Sequence, residues 1–408
     1  MASKEKAKTP EAAAHKTLWN SQYCILVIIN LMISLTVYMT NTFMSQHLAA
    51  LDINAALSGT ILGVMSIASM LIRPVSGWLC DRFNRKLLLV LCNGVIAAVL
   101  LGYGLAGTAL AFYVLRGFHG IAFGLTTTIT MAFIMDYIPK DRVGEGMGYF
   151  GLGQSVAAAV GPWMGLALAA RYGGAVTFFA ASAAVLAGAG FACALRINPG
   201  HADLQKSKIG KSSLQLNRFI TAEALPYAVV TIALSAANGI ETSYIASYAD
   251  TMGIESIGWY FTLSAATLFG ARLLLGKLTD KKGFVWVLLP GTLLIAAALV
   301  LLSLIRPENA LLLFAAAAVI KACGVGALQP GIQAMCVQSV PAQRRGAASS
   351  TYYIGTDLGQ GMSTMAAGRM ISEMGYAPMF RLFTLPLLLV VGIFMATAAL
   401  IKKKNKIM

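Results

Sequence analysis

Twelve long apolar stretches fill this 408-residue chain, and any fold it adopts must set most of them against lipid. A membrane-crossing helix needs about 20 mainly apolar residues. The stretches read as spans at 18–45, 55–79, 87–107, 109–138, 143–170, 174–196, 219–249, 256–279, 284–305, 310–339, 345–372 and 377–401. Composition agrees: 58% of residues are hydrophobic, 12% are charged, and the mean hydropathy is +0.72. A soluble protein of this size needs more charge to coat its surface.

The spans fall into two matching sets. Arg73-Pro74-Val75-Ser76-Gly77-Trp78-Leu79-Cys80-Asp81-Arg82 closes the second span, and Arg272-Leu273-Leu274-Leu275-Gly276-Lys277-Leu278-Thr279-Asp280-Lys281 closes the eighth. In both, arginine, glycine and aspartate recur at steps of four, which places them on one helix face. A second match pairs Gly124, Pro139, Arg142 and Gly144 with Gly326, Pro341, Arg344 and Gly346 at nearly the same separation. Two similar halves that rock about a shared site are the mark of a transporter. The expected organisation is a tail at 1–17, a six-helix bundle at 18–197, a polar linker at 198–218, a second six-helix bundle at 219–401 and a tail at 402–408.

The net charge of +15 has a topological pattern. Lys4, Lys6, Lys8 and Lys16 precede the first span, and Lys402, Lys403, Lys404 and Lys406 follow the last. Every second loop is also basic, with Arg82, Arg85 and Lys86, then Lys140 and Arg142, among others. By the positive-inside rule both termini are cytoplasmic and the span number is even. The charge is thus a membrane signal, and nucleic acid is not expected as a partner. The lysine-rich start runs straight into a full span, so no cleavable signal peptide is expected. Cys24, Cys80, Cys92, Cys193, Cys323 and Cys336 lie in or beside apolar segments without a CxxC, and read as packing residues. Gly120 with Gly124 and Gly355 with Gly359 have the four-residue spacing that lets helices approach closely.

Taken together, the repeats and the segment Gly77-Trp78-Leu79-Cys80-Asp81-Arg82-Phe83-Asn84-Arg85-Lys86 resemble the major facilitator superfamily along nearly the whole chain. The family pattern has glycine where Asn84 stands; asparagine is the next most tolerant residue for a left-handed backbone. The resemblance implies that Gly77, Asp81, Arg82, Arg85 and Lys86 latch the cytoplasmic side, with Asp136 as the acidic partner. A plain topology-setting charge cluster is the alternative. Arg116-Gly117-Phe118-His119-Gly120 looks like the family's second motif, in which an intramembrane arginine assists proton movement. A charge at that depth must face the interior or a hydrated cavity, and a structural salt link is the other role open to Arg116. Gly153, Ala157, Gly161, Pro162 and Gly165 resemble the motif of proton-antiporting exporters, with Ala157 and Leu166 departing from its glycines. That motif favours export.

In the second half Glu241, Lys321 and Asp357 are the ionisable candidates for proton coupling, with Arg116 and His119 from the first half. Lys321 and Asp357 fall at similar depth, so a Lys321–Asp357 pair is expected. Arg73 and Arg272, at matched positions, read as structural. Candidate cavity residues are Tyr38, Asn41, Gln154, Asn238, Tyr244, Gln329 and Tyr353, with Asn30, Gln333 and Tyr352 beside them. A mixed, aromatic lining suits amphipathic organic molecules better than bare ions. The chain carries no phosphate-binding loop, HExxH or Ser/His/Asp pattern, so neither an enzyme nor ATP-driven transport is expected, and no cofactor or metal is called for. The expected protein is a monomeric, all-α, twelve-span secondary transporter of a bacterial cytoplasmic membrane. It would export a small amphipathic compound against protons, with proton-coupled uptake of an organic anion or sugar-like solute as the alternative.

Overall fold

Asparagine or threonine starts each of the first four helices by bonding to backbone N–H groups that the first turn leaves unpaired. Asn20 accepts from Tyr23 N at 2.9 Å and starts α1, Ser21–Ala50. Asn54 starts α2, Ala55–Arg82; Asn84 starts α3, Arg85–Leu105; and Thr108 starts α4, Ala109–Ile134. The structure, a computed structural model, describes residues 17–139, 142–196, 221–254, 256–282, 284–340 and 345–394. Further on come α5 (Val143–Tyr172), α6 (Gly174–Cys193), α7 (Leu225–Thr251), α8 (Gly258–Lys282), α9 (Phe284–Ser303), α10 (Ala310–Gln338) and α11 (Arg345–Met374). The last helix, α12, begins at Tyr376–Leu382 within an apolar stretch that reaches Phe394. Residues 1–16 of the first tail, the linker expected at 198–218 and the tail at 402–408 lie outside the described residues.

Among the described residues nine helical stretches are long and apolar enough to cross a membrane. Helix α11 is not among them. Several of its polar side chains are spent inward: Thr351, Asp357, Ser363 and Thr364 are all buried where α11 packs between α2 and α7. Large apolar residues instead face outward on other helices, as at Leu105, which is 79% exposed. Two expectations need correction. Helix α1 runs past residue 45 to Ala50, because His47 packs among Phe43, Phe112 and Phe178 and holds the extra turn in place. Asn84 is not in a left-handed conformation; its φ of −63° is ordinary, and its side chain caps α3 by accepting from Lys86 N and Leu87 N.

The halves repeat each other in their packing. Helix α1 packs on α5 as α7 packs on α11, α2 on α4 as α8 on α10, and α3 on α6 as α9 on α12. Among the described residues the halves join chiefly where α2 meets α11, α5 meets α8, and α1 meets α7. The α2–α11 crossing is so close that it needs glycine. A Cβ at Gly59 would stand 2.6 Å from the Thr364 carbonyl, and one at Gly368 would stand 2.7 Å from Gly59 Cα. Within the first half Gly161 and Gly165 serve α5 in the same way, since a Cβ at either would run into the α1 backbone at Leu35 or Met39.

Candidate functional site

Between the halves lies a cavity of about 610 Å³, walled by α1, α5, α7, α8 and α10. On the face that carries the α1–α2 and α7–α8 connections the halves touch. There Ser45 and Ser247 hydroxyls meet at 2.8 Å, and Gln46 Nε2 donates to Asp250 Oδ2 at 2.7 Å. The cavity extends the other way, past Gln154 and Gln329 to Tyr149 and Gln333. Pro162, in its wall, has no N–H to give to the carbonyl one turn earlier, that of Ala158, which is also in the wall. Aromatic and apolar lining from Tyr38, Tyr149, Phe261 and Leu268 mixes with amides and hydroxyls.

Among the described residues, charge enters the wall through one pair. Lys321 Nζ on α10 stands 2.7 Å from Glu241 Oε2 on α7, and both side chains are at least nine-tenths buried. Lys321 also donates to Asn238 Oδ1 at 2.7 Å. Asn238 and Glu241 are three residues apart, so they share a helix face and hold the ammonium together. Tyr260 on α8 faces the same carboxylate.

Asp357 is engaged elsewhere. Arg73 Nε on α2 donates to Asp357 Oδ2 on α11 at 2.5 Å, Ser69 Oγ adds a bond at 3.1 Å, and the guanidinium lies 5.0 Å from the Tyr353 ring centre. The expected Lys321–Asp357 pair is therefore replaced by two others. Equal depth does not make neighbours: α10 turns Lys321 toward α7, while α11 turns Asp357 toward α2. Arg73 forms an ion pair that bridges the halves, whereas the side chain of Arg272 lies outside the described residues. Gln333 Nε2, in the cavity wall, donates to Tyr353 Oη at 3.5 Å, which links the second pair to the cavity rim.

Arg116 is wholly buried inside the first half, away from the cavity lining. It donates to Asn41 Oδ1 at 2.7 Å and stands 5.5 Å from the Tyr103 ring centre, while His119 Nδ1 lies 3.1 Å from Tyr103 Oη. Asn41 is thus spent on Arg116 and does not line the cavity. Tyr244 is also absent from the lining, because its hydroxyl donates to the Thr364 carbonyl at the α2–α11 crossing. Tyr353 sits behind the wall with Arg73. Tyr38, Gln154, Asn238 and Gln329 do line the cavity. Thr242 and Ser264 join them although neither was singled out from the sequence; Thr242 follows Asn238 by one helical turn, and that spacing was the available signal.

At the α2–α3 turn Arg85 donates to Asp136 Oδ2 at 2.9 Å and to the Cys80 carbonyl at 3.2 Å, tying α3 to the ends of α2 and α4. Lys86 is half-buried beside it. The side chains of Asp81 and Arg82 lie outside the described residues, and Gly77 falls in the same stretch of α2. On α5, Gly153 has only ordinary contact distances to α1, unlike Gly161 and Gly165.

Comparison with known proteins gives one consistent picture. The model of the Major Facilitator Superfamily matches residues 26–256 and 254–406. An uncharacterised MFS-type transporter of Methanocaldococcus jannaschii is 25% identical over 340 residues, covering 82% of this chain and 87% of that protein. The multidrug resistance protein MdtG of Enterobacter lignolyticus is 27% identical over 349 residues, covering 79% of this chain and 78% of that protein. Among solved structures, the nucleoside transporter NupG aligns with a TM-score of 0.72 at 13% identity, over 92% of this chain and 99% of that one. The peptide transporter POT bound to sulfate aligns with a TM-score of 0.75 at 14% identity, over 93% and 94%.

Proposed function

Because the chain belongs to the Major Facilitator Superfamily, we propose that it is a proton-coupled exporter of a small amphipathic organic compound, working by alternating access. The observation that carries this reading is the Glu241–Lys321 pair in the wall of the central cavity. A carboxylate there can be reached by substrate and by protons in turn. With both termini cytoplasmic, the face closed by Ser45, Ser247, Gln46 and Asp250 is the outer one, and the cavity faces the cytoplasm. Substrate enters from inside, the halves rock about α2–α11, and a proton from outside then takes Glu241 and resets the cycle. Each charge moved across 100 mV supplies about 2.3 kcal/mol, enough to sustain a useful gradient. The relative MdtG is by name a multidrug resistance protein, and resistance is what export of such compounds would confer. Asp357, bonded to Arg73 across the halves, is a second coupling carboxylate, because protonating it would release Arg73 and loosen this junction.

A second reading is uptake of an organic anion together with a proton, favoured by the ammonium that Lys321 would present once Glu241 is neutral. Lumenal pH in proteoliposomes of known orientation tests both. Adding an amphipathic compound to the cytoplasmic face should dissipate an imposed proton gradient with wild type and not with Glu241→Gln. Proton and compound moving in the same direction would overturn export in favour of uptake.

A further inference from the structure

The charges in the cavity wall restrict the head group of its substrate, granted that the cavity is the transport site. Among the described residues of the lining, Glu241 and Lys321 carry the charge and are in contact, so the wall is neutral as a whole. A simple cation would have to draw Glu241 away from Lys321. That leaves a buried ammonium with only the Asn238 amide oxygen at hydrogen-bond distance. A simple anion would have to draw Lys321 away and strand a buried carboxylate. Both exchanges trade one ion pair for another and leave a charge uncompensated, which is costly at low dielectric. A molecule with both charges replaces one ion pair with two.

We infer that the substrate is an amphipathic zwitterion with an amino-acid-like head, its ammonium on Glu241 and its carboxylate on Lys321. The two protein charges are 2.7 Å apart, so the substrate charges must be separated by only a few bonds. Glu241 Oε2 is sealed against Lys321, so the ammonium reaches it by parting that pair while its carboxylate takes up Lys321. Tyr38, Phe261, Leu268 and Val325 offer the apolar body its seat, in a volume of the size drug-like ligands fill. The groups facing Glu241 are Lys321 from α10, Tyr260 from α8, and Asn238 on its own helix. Ammonium and proton compete for this carboxylate, which is the relation antiport requires. Protonating Glu241 removes one of the two ion pairs that hold a zwitterion. The same proton frees Lys321 for an anion.

The test is affinity selection on the purified full-length protein with a library of matched quartets. Each apolar scaffold is present as the free amino acid, its methyl ester, its N-acetyl acid and its N-acetyl methyl ester, so that only charge varies. Wild type should retain free amino acids over their three counterparts by about ten-fold or more. Lys321→Gln should shift retention to the esters, and Glu241→Gln to the N-acetyl acids. The wild-type order of retention alone decides the head group, which keeps the test valid if a variant fails to fold. Wild-type preference for esters, N-acetyl acids or neutral members, or failure to retain any free amino acid, would overturn the inference. Retained amino acids that move no protons would leave the head group standing and defeat proton coupling instead.

Discussion

Lys321 and Glu241 are each buried against the other, so removing one leaves a charge in the cavity wall with no opposite partner. Lys321→Met should destabilise the protein by about 3–5 kcal/mol, while Lys321→Met with Glu241→Gln should recover much of that loss. Thermal denaturation in detergent reads the difference. A double variant no more stable than the single would show that the two side chains are not coupled. At this scale the sequence was least informative. Counting residues from a helix end locates a charge in depth, which is how Lys321 and Asp357 came to be matched. It says nothing of the direction each helix turns. The ionisable residues themselves were legible, because charge inside an apolar span is rare. Their partners were fixed by tertiary packing, as Asn41 with Arg116 and Tyr244 with Thr364 also show.

Helices were the most legible level. Twenty or more apolar residues bounded by polar loops leave few alternatives, and the asparagine caps mark several starts. Close approach was only partly legible. The Gly120–Gly124 and Gly355–Gly359 spacings are visible in the chain, and all four glycines meet a neighbouring helix. The α2–α11 crossing depends on Gly59, Gly63, Gly361 and Gly368, whose partners lie in the opposite half. Gly368→Leu should therefore cost about 1–3 kcal/mol by overpacking and also impair transport. Gly117→Ala, with open space around its Cβ, should leave both unchanged. Equal tolerance at the two sites, read by melting temperature and uptake into vesicles, would mean that α2 and α11 do not depend on that contact.

The whole molecule is two repeats joined along α2–α11, α5–α8 and α1–α7, and the duplication was readable from the matched segments that begin at Arg73 and Arg272 and at Gly124 and Gly326. The face on which the cavity is closed was not, because closure rests on contacts such as Ser45 with Ser247 that no periodicity encodes. Those two hydroxyls are 2.8 Å apart, so Ser45→Cys with Ser247→Cys should bridge under oxidation and stop transport until reduced. Undiminished transport in the oxidised form would show that the halves need not part on that face. The central claim is that one cavity is exposed to each side of the membrane in turn. Thr242→Cys, placed in the cavity wall of a protein whose six cysteines have been replaced, tests it most directly. A membrane-impermeant maleimide, applied to vesicles of either orientation, should label that cysteine from both sides, and transported compound should slow the reaction. Labelling from one side only, under every condition of proton gradient and compound, would contradict the account.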